Sequence, residues 1–226
     1  MRLGVLFSGG KDSTLALHYA YEKEEVACLI TLISLNKESY MFHTPNIEVS
    51  ALQAEALGLP RVTRVTTGEK EKELEDLEQA IAEAVKEYRI EGVVTGAVES
   101  VYQAERVQRI CHRLGLWCFN PLWKLDQKAL LEELLERGFK VVISGVFAYP
   151  LDETWLGKQI DPVMIERLIE LQCKYGLSPS GEGGEIETTV LDAPLFKKKI
   201  KILSSSVEYR GNAGVFSVRQ ARLVAK

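Results

Sequence analysis

Short apolar runs alternate with amphipathic stretches along the first two-thirds of the chain, and this alternation constrains the fold more than any other feature. Strands are predicted over Leu3–Phe7, Val26–Ser34, Val62–Thr66, Ile90–Thr95 and Leu116–Phe119, with a longer one over Phe139–Phe147. Continuous apolar runs of this length suit strands buried on both faces, as in a parallel sheet. Helical patterns fill the gaps. Ser13–Lys23 comes first, and a second runs to Leu57, opened by Thr44-Pro45 and ended by Gly58. The strongest spans Lys70–Tyr88, with Leu74, Leu77, Ile81 and Val85 at three- and four-residue spacing. Two more are expected over Tyr102–Leu114 and from the cap Asp126 to Arg137. Such a βα rhythm with right-handed crossovers gives a doubly wound α/β sheet.

Beyond Tyr149-Pro150 the rhythm changes. One helix, Pro162–Tyr175, is followed by the turn-rich stretch LSPSGEGGE, and strand-like segments over Ile200–Tyr209 and Gly214–Val224 close the chain. The expected organisation is an α/β domain over 1–150 and a smaller α+β domain over 151–226. A chain of 226 residues can bury a core of that size.

Composition excludes several classes. No apolar run approaches the roughly 20 residues a bilayer requires, and no export segment is visible, so a cytoplasmic location is the default. The four cysteines, Cys28, Cys111, Cys118 and Cys173, form no CxxC pair, which argues against a zinc ribbon or dithiol centre. A net charge of −4 leaves no electrostatic footprint for nucleic acid. The basic run Lys197-Lys198-Lys199 with Lys201 suits a solvated strand end.

The residues Ser8-Gly9-Gly10-Lys11-Asp12-Ser13 occupy the first strand-to-helix turn, the usual phosphate site of an open parallel sheet. Glycines let an anion approach the main chain, helix-start amides donate to it, and Lys11 adds positive charge. Asp12 suits an N-cap or a metal holder. The order is neither a Walker A loop nor a dinucleotide fingerprint.

SGGKDS resembles the PP-loop of the ATP pyrophosphatases. The resemblance implies that Ser8, Gly9, Gly10, Lys11, Asp12 and Ser13 bind the pyrophosphate of ATP with Mg²⁺ at Asp12. It also implies cleavage between the α- and β-phosphates. Three further stretches, SYMFHTPN, GAVESVYQAERVQRICHRLGL and GEGGEIETTVLDAPLF, make the chain similar to the diphthine–ammonia ligase family, with NPLWKLDQKALLEELLERG fitting too. Ile186 departs from that pattern, where an aromatic is expected.

The family resemblance implies ATP-dependent amidation of diphthine on translation elongation factor 2, with free ammonium as the nitrogen source. His43 and Gly96 become nucleotide contacts, and Lys11, Asp12 and Arg106 the catalytic set. Tyr102, Gln103, Glu182, Gly183, Gly184, Glu185, Glu187 and Thr188 become substrate contacts. Diphthine carries a quaternary ammonium, which carboxylates or aromatic faces bind. Trp123, Trp155 and Tyr149 are aromatic candidates, though each also suits core packing. A tRNA-modifying adenylating enzyme and a non-catalytic nucleotide-binding module stand as alternatives, and a homodimer is left open.

Overall fold

A computed structural model describes residues 1–36, 45–69 and 71–226. Five strands form a wholly parallel sheet: β1 (Arg2–Leu6), β2 (Glu25–Ser34), β3 (Arg61–Thr66), β4 (Gly92–Val94) and β5 (Trp117–Phe119). Their order is β3-β2-β1-β4-β5, so the chain steps one way from β1 to β2 and the other way to β4. That reversal opens a crevice beyond the carboxyl ends of β1 and β4, where open α/β sheets bind ligands.

The helices are α1 (Lys11–Tyr21), α2 (Ser50–Leu57), α3 (Lys72–Tyr88), α4 (Val101–Arg113), α5 (Gln127–Glu136) and α6 (Pro162–Tyr175). Strand alternation divides the core. Cys28, Ile30, Val62 and Val93 pack on Leu77, Ile81, Val107 and Ile110 of α3 and α4. Leu3, Val5, Leu29 and Val94 face the other way, toward Leu15 and Leu17 of α1 and Ala54 of α2. This second cluster continues without a break into Leu130 and Leu134 of α5, Ile165 and Leu168 of α6, and Val190.

The remaining strands are β6 (Lys140–Val146), β7 (Ile186–Asp192), β8 (Lys199–Arg210) and β9 (Ala213–Val224), in the antiparallel order β7-β6-β9-β8. The strand expected over Phe139–Phe147 therefore does not extend the parallel sheet; it lies inside the second one. The misreading has a physical cause. From Val141 to Val146 every residue of β6 is buried, the pattern a parallel strand would show. Sheet membership changes between Phe119 and Lys140.

The start of the second helix also shifts. Thr44, the expected cap of the second helix, lies outside the described residues. Asn46 takes a left-handed backbone (φ 65°), and a 3-10 turn over Ile47–Val49 precedes α2. Asn46 is held there from afar: Nδ2 donates to Phe216 O at 2.9 Å, and Oδ1 accepts from Val218 N at 2.7 Å. By contrast, Asp126 caps α5 as expected, accepting from Ala129 N at 2.9 Å. Among the described residues no helix is long and apolar enough to cross a membrane.

Candidate active site

The turn after β1 is shaped for close approach of main chain to ligand. Gly9 has φ +81°, and a Cβ there would fall 2.0 Å from Gln53 Oε1. Gly10 caps α1 in extended conformation and has no side chain with which to cap its amides. Instead the hydroxyls of Ser13 and Thr14 turn back to Gly10 O, at 3.2 and 2.8 Å. Ser8 Oγ lies 3.2 Å from Ser13 Oγ. Gly96, from the loop after β4, packs so tightly on this turn that a Cβ would come within 2.7 Å of Ser13 N. The two loops at the switch point thus close on the start of α1, where the helix dipole favours an anion. Lys11 is buried, and its Nζ donates to both Asp12 oxygens, at 3.0 and 2.8 Å.

The second sheet enters the same site. Lys11 N donates to Thr188 Oγ1 at 3.1 Å, and Val190 N donates to Gly9 O at 3.0 Å. The fully buried Gln53 completes the clamp: Nε2 donates to Gly9 O at 2.9 Å and to Val190 O at 2.7 Å. Sequence reading missed Gln53, because a glutamine on a short helix carries no signal until its two distant carbonyls are known.

Three carboxylates share the field of one ammonium here. Burial pushes the Glu187 carboxyl up to about 7, Asp12 and Glu182 add to the rise, and Lys11 opposes it. Glu182 also rises to about 7, from burial first and then from the charge of Asp12. Its Oε2 accepts from Glu99 N at 3.1 Å, which fixes the acidic turn against the loop after β4. A cation or a metal–phosphate complex bound beside these carboxylates would favour their charged forms, which burial alone disfavours.

Glu185 lies apart from this group. Its Oε1 accepts from Ser178 N at 3.1 Å, while Oε2 is buried with no hydrogen-bond partner among the described residues. A Cβ on Gly183 would meet that carboxylate at 2.7 Å, so the glycine leaves room for it. Gly184 turns the chain at φ +82°. Gln127, a second residue missed from sequence, holds the turn in place. Its Oε1 accepts from Ser178 Oγ at 2.6 Å and Ser180 Oγ at 2.9 Å, and its Nε2 donates to Glu99 at 3.3 Å.

Other expected site residues sit at the rim. The Arg106 guanidinium stacks 3.4 Å over the Tyr102 ring and pairs with Glu71 at 3.5 Å. Among the described residues these contacts join it to Tyr102 and Glu71, not to the SGGKDS turn. Gln103 belongs to the first turn of α4, where its amide is capped by Ser100 Oγ at 3.3 Å. His43 lies outside the described residues. Of the aromatic candidates, Trp155 is buried, Trp123 is 37% exposed and Tyr149 is 65% exposed. Among the described residues no group of three or more His, Cys, Asp or Glu side chains is placed to hold a metal ion alone.

Fold and loop together define a nucleotide-binding α/β protein of the PP-loop class. A family model described as the diphthamide synthase N-terminal domain matches residues 1–118, and one described as the C-terminal domain matches residues 126–224. The chain belongs to the diphthamide synthase family. Curated relatives named diphthine–ammonia ligase include that of Homo sapiens, 36% identical over 92% of this chain and 85% of that protein. The Danio rerio relative is 38% identical over 89% of this chain and 86% of its own length. The Schizosaccharomyces pombe relative is 35% identical over 92% of this chain but only 37% of its own length. Among solved structures, a tRNA methyltransferase subunit from Methanocaldococcus jannaschii is 17% identical. It covers 86% of this chain and 98% of its own, with a TM-score of 0.43, too low to carry an argument about this molecule.

Proposed function

We propose that this chain is a cytosolic ligase that joins ammonia to the carboxylate of diphthine on translation elongation factor 2, using ATP. One observation carries the reading. The phosphate-type turn and the acidic turn are hydrogen-bonded into a single site, through Lys11 N to Thr188 and Val190 N to Gly9 O. A nucleotide on one side and an acceptor carboxylate on the other would then meet at the first turn of α1.

The chemistry asks for positioning and charge management rather than a protein nucleophile. The acceptor carboxylate attacks the α-phosphorus, pyrophosphate leaves, and ammonia displaces AMP from the acyl adenylate to give the amide. Ser8, Gly9, Gly10, Lys11 and Ser13 hold the pyrophosphate, and Gly96 keeps the neighbouring loop close. Mg²⁺ is normally held by one or two carboxylates together with substrate phosphates. Asp12 fits that demand, and the metal when bound screens phosphate charge. Tyr102 and Gln103 border the acceptor from α4 with Arg106 beside them, and Glu182, Gly183, Gly184, Glu185, Glu187 and Thr188 border it from the other side.

The products test this reading. With acceptor, ATP, Mg²⁺ and ammonium present, AMP and pyrophosphate should accumulate in step with the amide. Release of ADP, or no turnover by the folded protein, would contradict it.

A further inference from the structure

Phe147 is a large apolar ring left 38% exposed just beyond the end of β6. Its placement is specific. Gly145 pairs with Glu187 across the β6–β7 ladder, Val146 pairs with Ile186, and Phe147 N donates to Glu185 O at 2.9 Å. Residues opposite each other in an antiparallel pair project to the same face. That face therefore carries Gly145, Phe147, Glu185 and Glu187 together. The ring lies back across Gly145: a Cβ there would fall 2.6 Å from Phe147 Cε2 and 3.1 Å from Glu187 Cβ. Glycine at 145 is what allows the aromatic ring to lie across the strand on the side where Glu187 Cβ stands. One residue further along the same face, Glu185 keeps a buried oxygen without a hydrogen-bond partner among the described residues.

From this geometry we infer that Phe147, with Glu187 and Glu185, forms the subsite for the quaternary ammonium of the acceptor. A tetraalkylammonium has no N–H to donate, so hydrogen-bond acceptors alone do not select it. An aromatic face supplies attraction without a donor, and carboxylates supply the opposite charge. An exposed ring on the strand face that also carries Glu185 and Glu187 brings both properties together. The subsite adjoins the phosphate turn through Thr188, so a substrate anchored there by its cation presents its carboxylate toward α1. Among the described residues no other exposed aromatic combines these features. Tyr149, two residues on, packs edge-on against Tyr175 at 5.5 Å instead.

The inference rests on the proposed acceptor, so two independent readouts are needed. The first uses no catalysis. Titrating the wild-type protein with tetramethylammonium chloride, against sodium chloride at equal ionic strength, should shift one phenylalanine ring resonance. That resonance should be the one lost in Phe147→Leu. Absence of a tetramethylammonium-specific shift would overturn the subsite even if amidation proceeds. The second is amidation by an active wild type. Phe147→Leu should raise KM for the diphthine-bearing factor about tenfold. The Kd for ATP should stay within about twofold, Phe147→Tyr should restore most of the affinity, and Tyr149→Leu should leave KM alone. An unchanged KM in Phe147→Leu, or a parallel loss of ATP affinity, would overturn the inference. Failure of the wild type to amidate would instead sink the proposed function, with the titration still deciding the cation site.

Discussion

The SGGKDS turn and the GEGGEIET turn face each other across one crevice, yet they are built in different ways. The first takes its internal shape from its own residues, with Gln53, Thr188 and Val190 clamping it from outside. Glycine backbone freedom, a helix start and hydroxyls that fold back on Gly10 O supply most of its shape. The second depends on partners far away in sequence: Glu99 for Glu182, Gln127 for Ser178 and Ser180, and the β6 strand for its register. A locally coded turn can be moved between proteins as a motif. A turn held by long-range bonds is tied to its own fold, which suits an element that must recognise one acceptor.

Four perturbations test this contrast. The largest effect is expected for Lys11→Ala. Removing a fixed charge from the developing pyrophosphate should lower ATP turnover about 100-fold or more, with the melting temperature moving only a few degrees. Unchanged turnover in a folded variant would remove the first turn from the phosphate site.

Acid should loosen the joint between the two regions. His18 of α1 is buried, with Nδ1 2.8 Å from Thr14 O and Nε2 accepting from Leu195 N at 3.2 Å. Burial lowers its pKa from 6.5 to about 4. The unfolded chain takes up the proton first, so this contribution is complete above pH 6.5 and declines until about pH 4. It amounts to at most about 3 kcal/mol. Denaturant titrations across that range should show the loss, and His18→Gln should flatten it. An identical pH slope in the variant would contradict the assignment.

Next comes Gln53→Ala, which cuts the clamp linking Gly9 and Val190. Deleting a buried donor to two carbonyls should cost about 2 kcal/mol in urea unfolding and weaken ATP binding as well. A loss confined to stability would show that the first turn keeps its shape alone. The smallest functional effect is expected for Glu185→Ala, a severalfold rise in acceptor KM with ATP affinity retained, the size of one weakened charge contact. If ATP affinity fell instead, the acidic turn would belong to the nucleotide site.

Much of the fold was legible because its signals are local. The apolar runs of β1 to β5, the capping Asp126 and the periodicity of α3 all appear where periodicity and capping place them. β6 was misassigned to the parallel sheet because burial on both faces looks the same in either sheet. Asn46 moved the start of α2 because its side chain answers to β9, a partner that no local pattern reveals. The site divides along the same line. SGGKDS and the acidic turn could be picked out as residues. That they touch, and that Gln53 and Gln127 hold them in place, depends on contacts between elements far apart in the chain. Arg106 entered the catalytic set only through the family resemblance; in the structure its guanidinium meets Tyr102 and Glu71 at the rim.

The central claim is that the two turns form one amidating site. Elongation factor 2 bearing diphthine, incubated with this protein, ATP, Mg²⁺ and isotopically labelled ammonium, tests it most directly by mass spectrometry of the modified-histidine peptide. The prediction is one labelled nitrogen on that histidine, dependent on ATP and lost in Lys11→Ala. An unlabelled peptide, with the protein folded and ATP bound, would contradict the account.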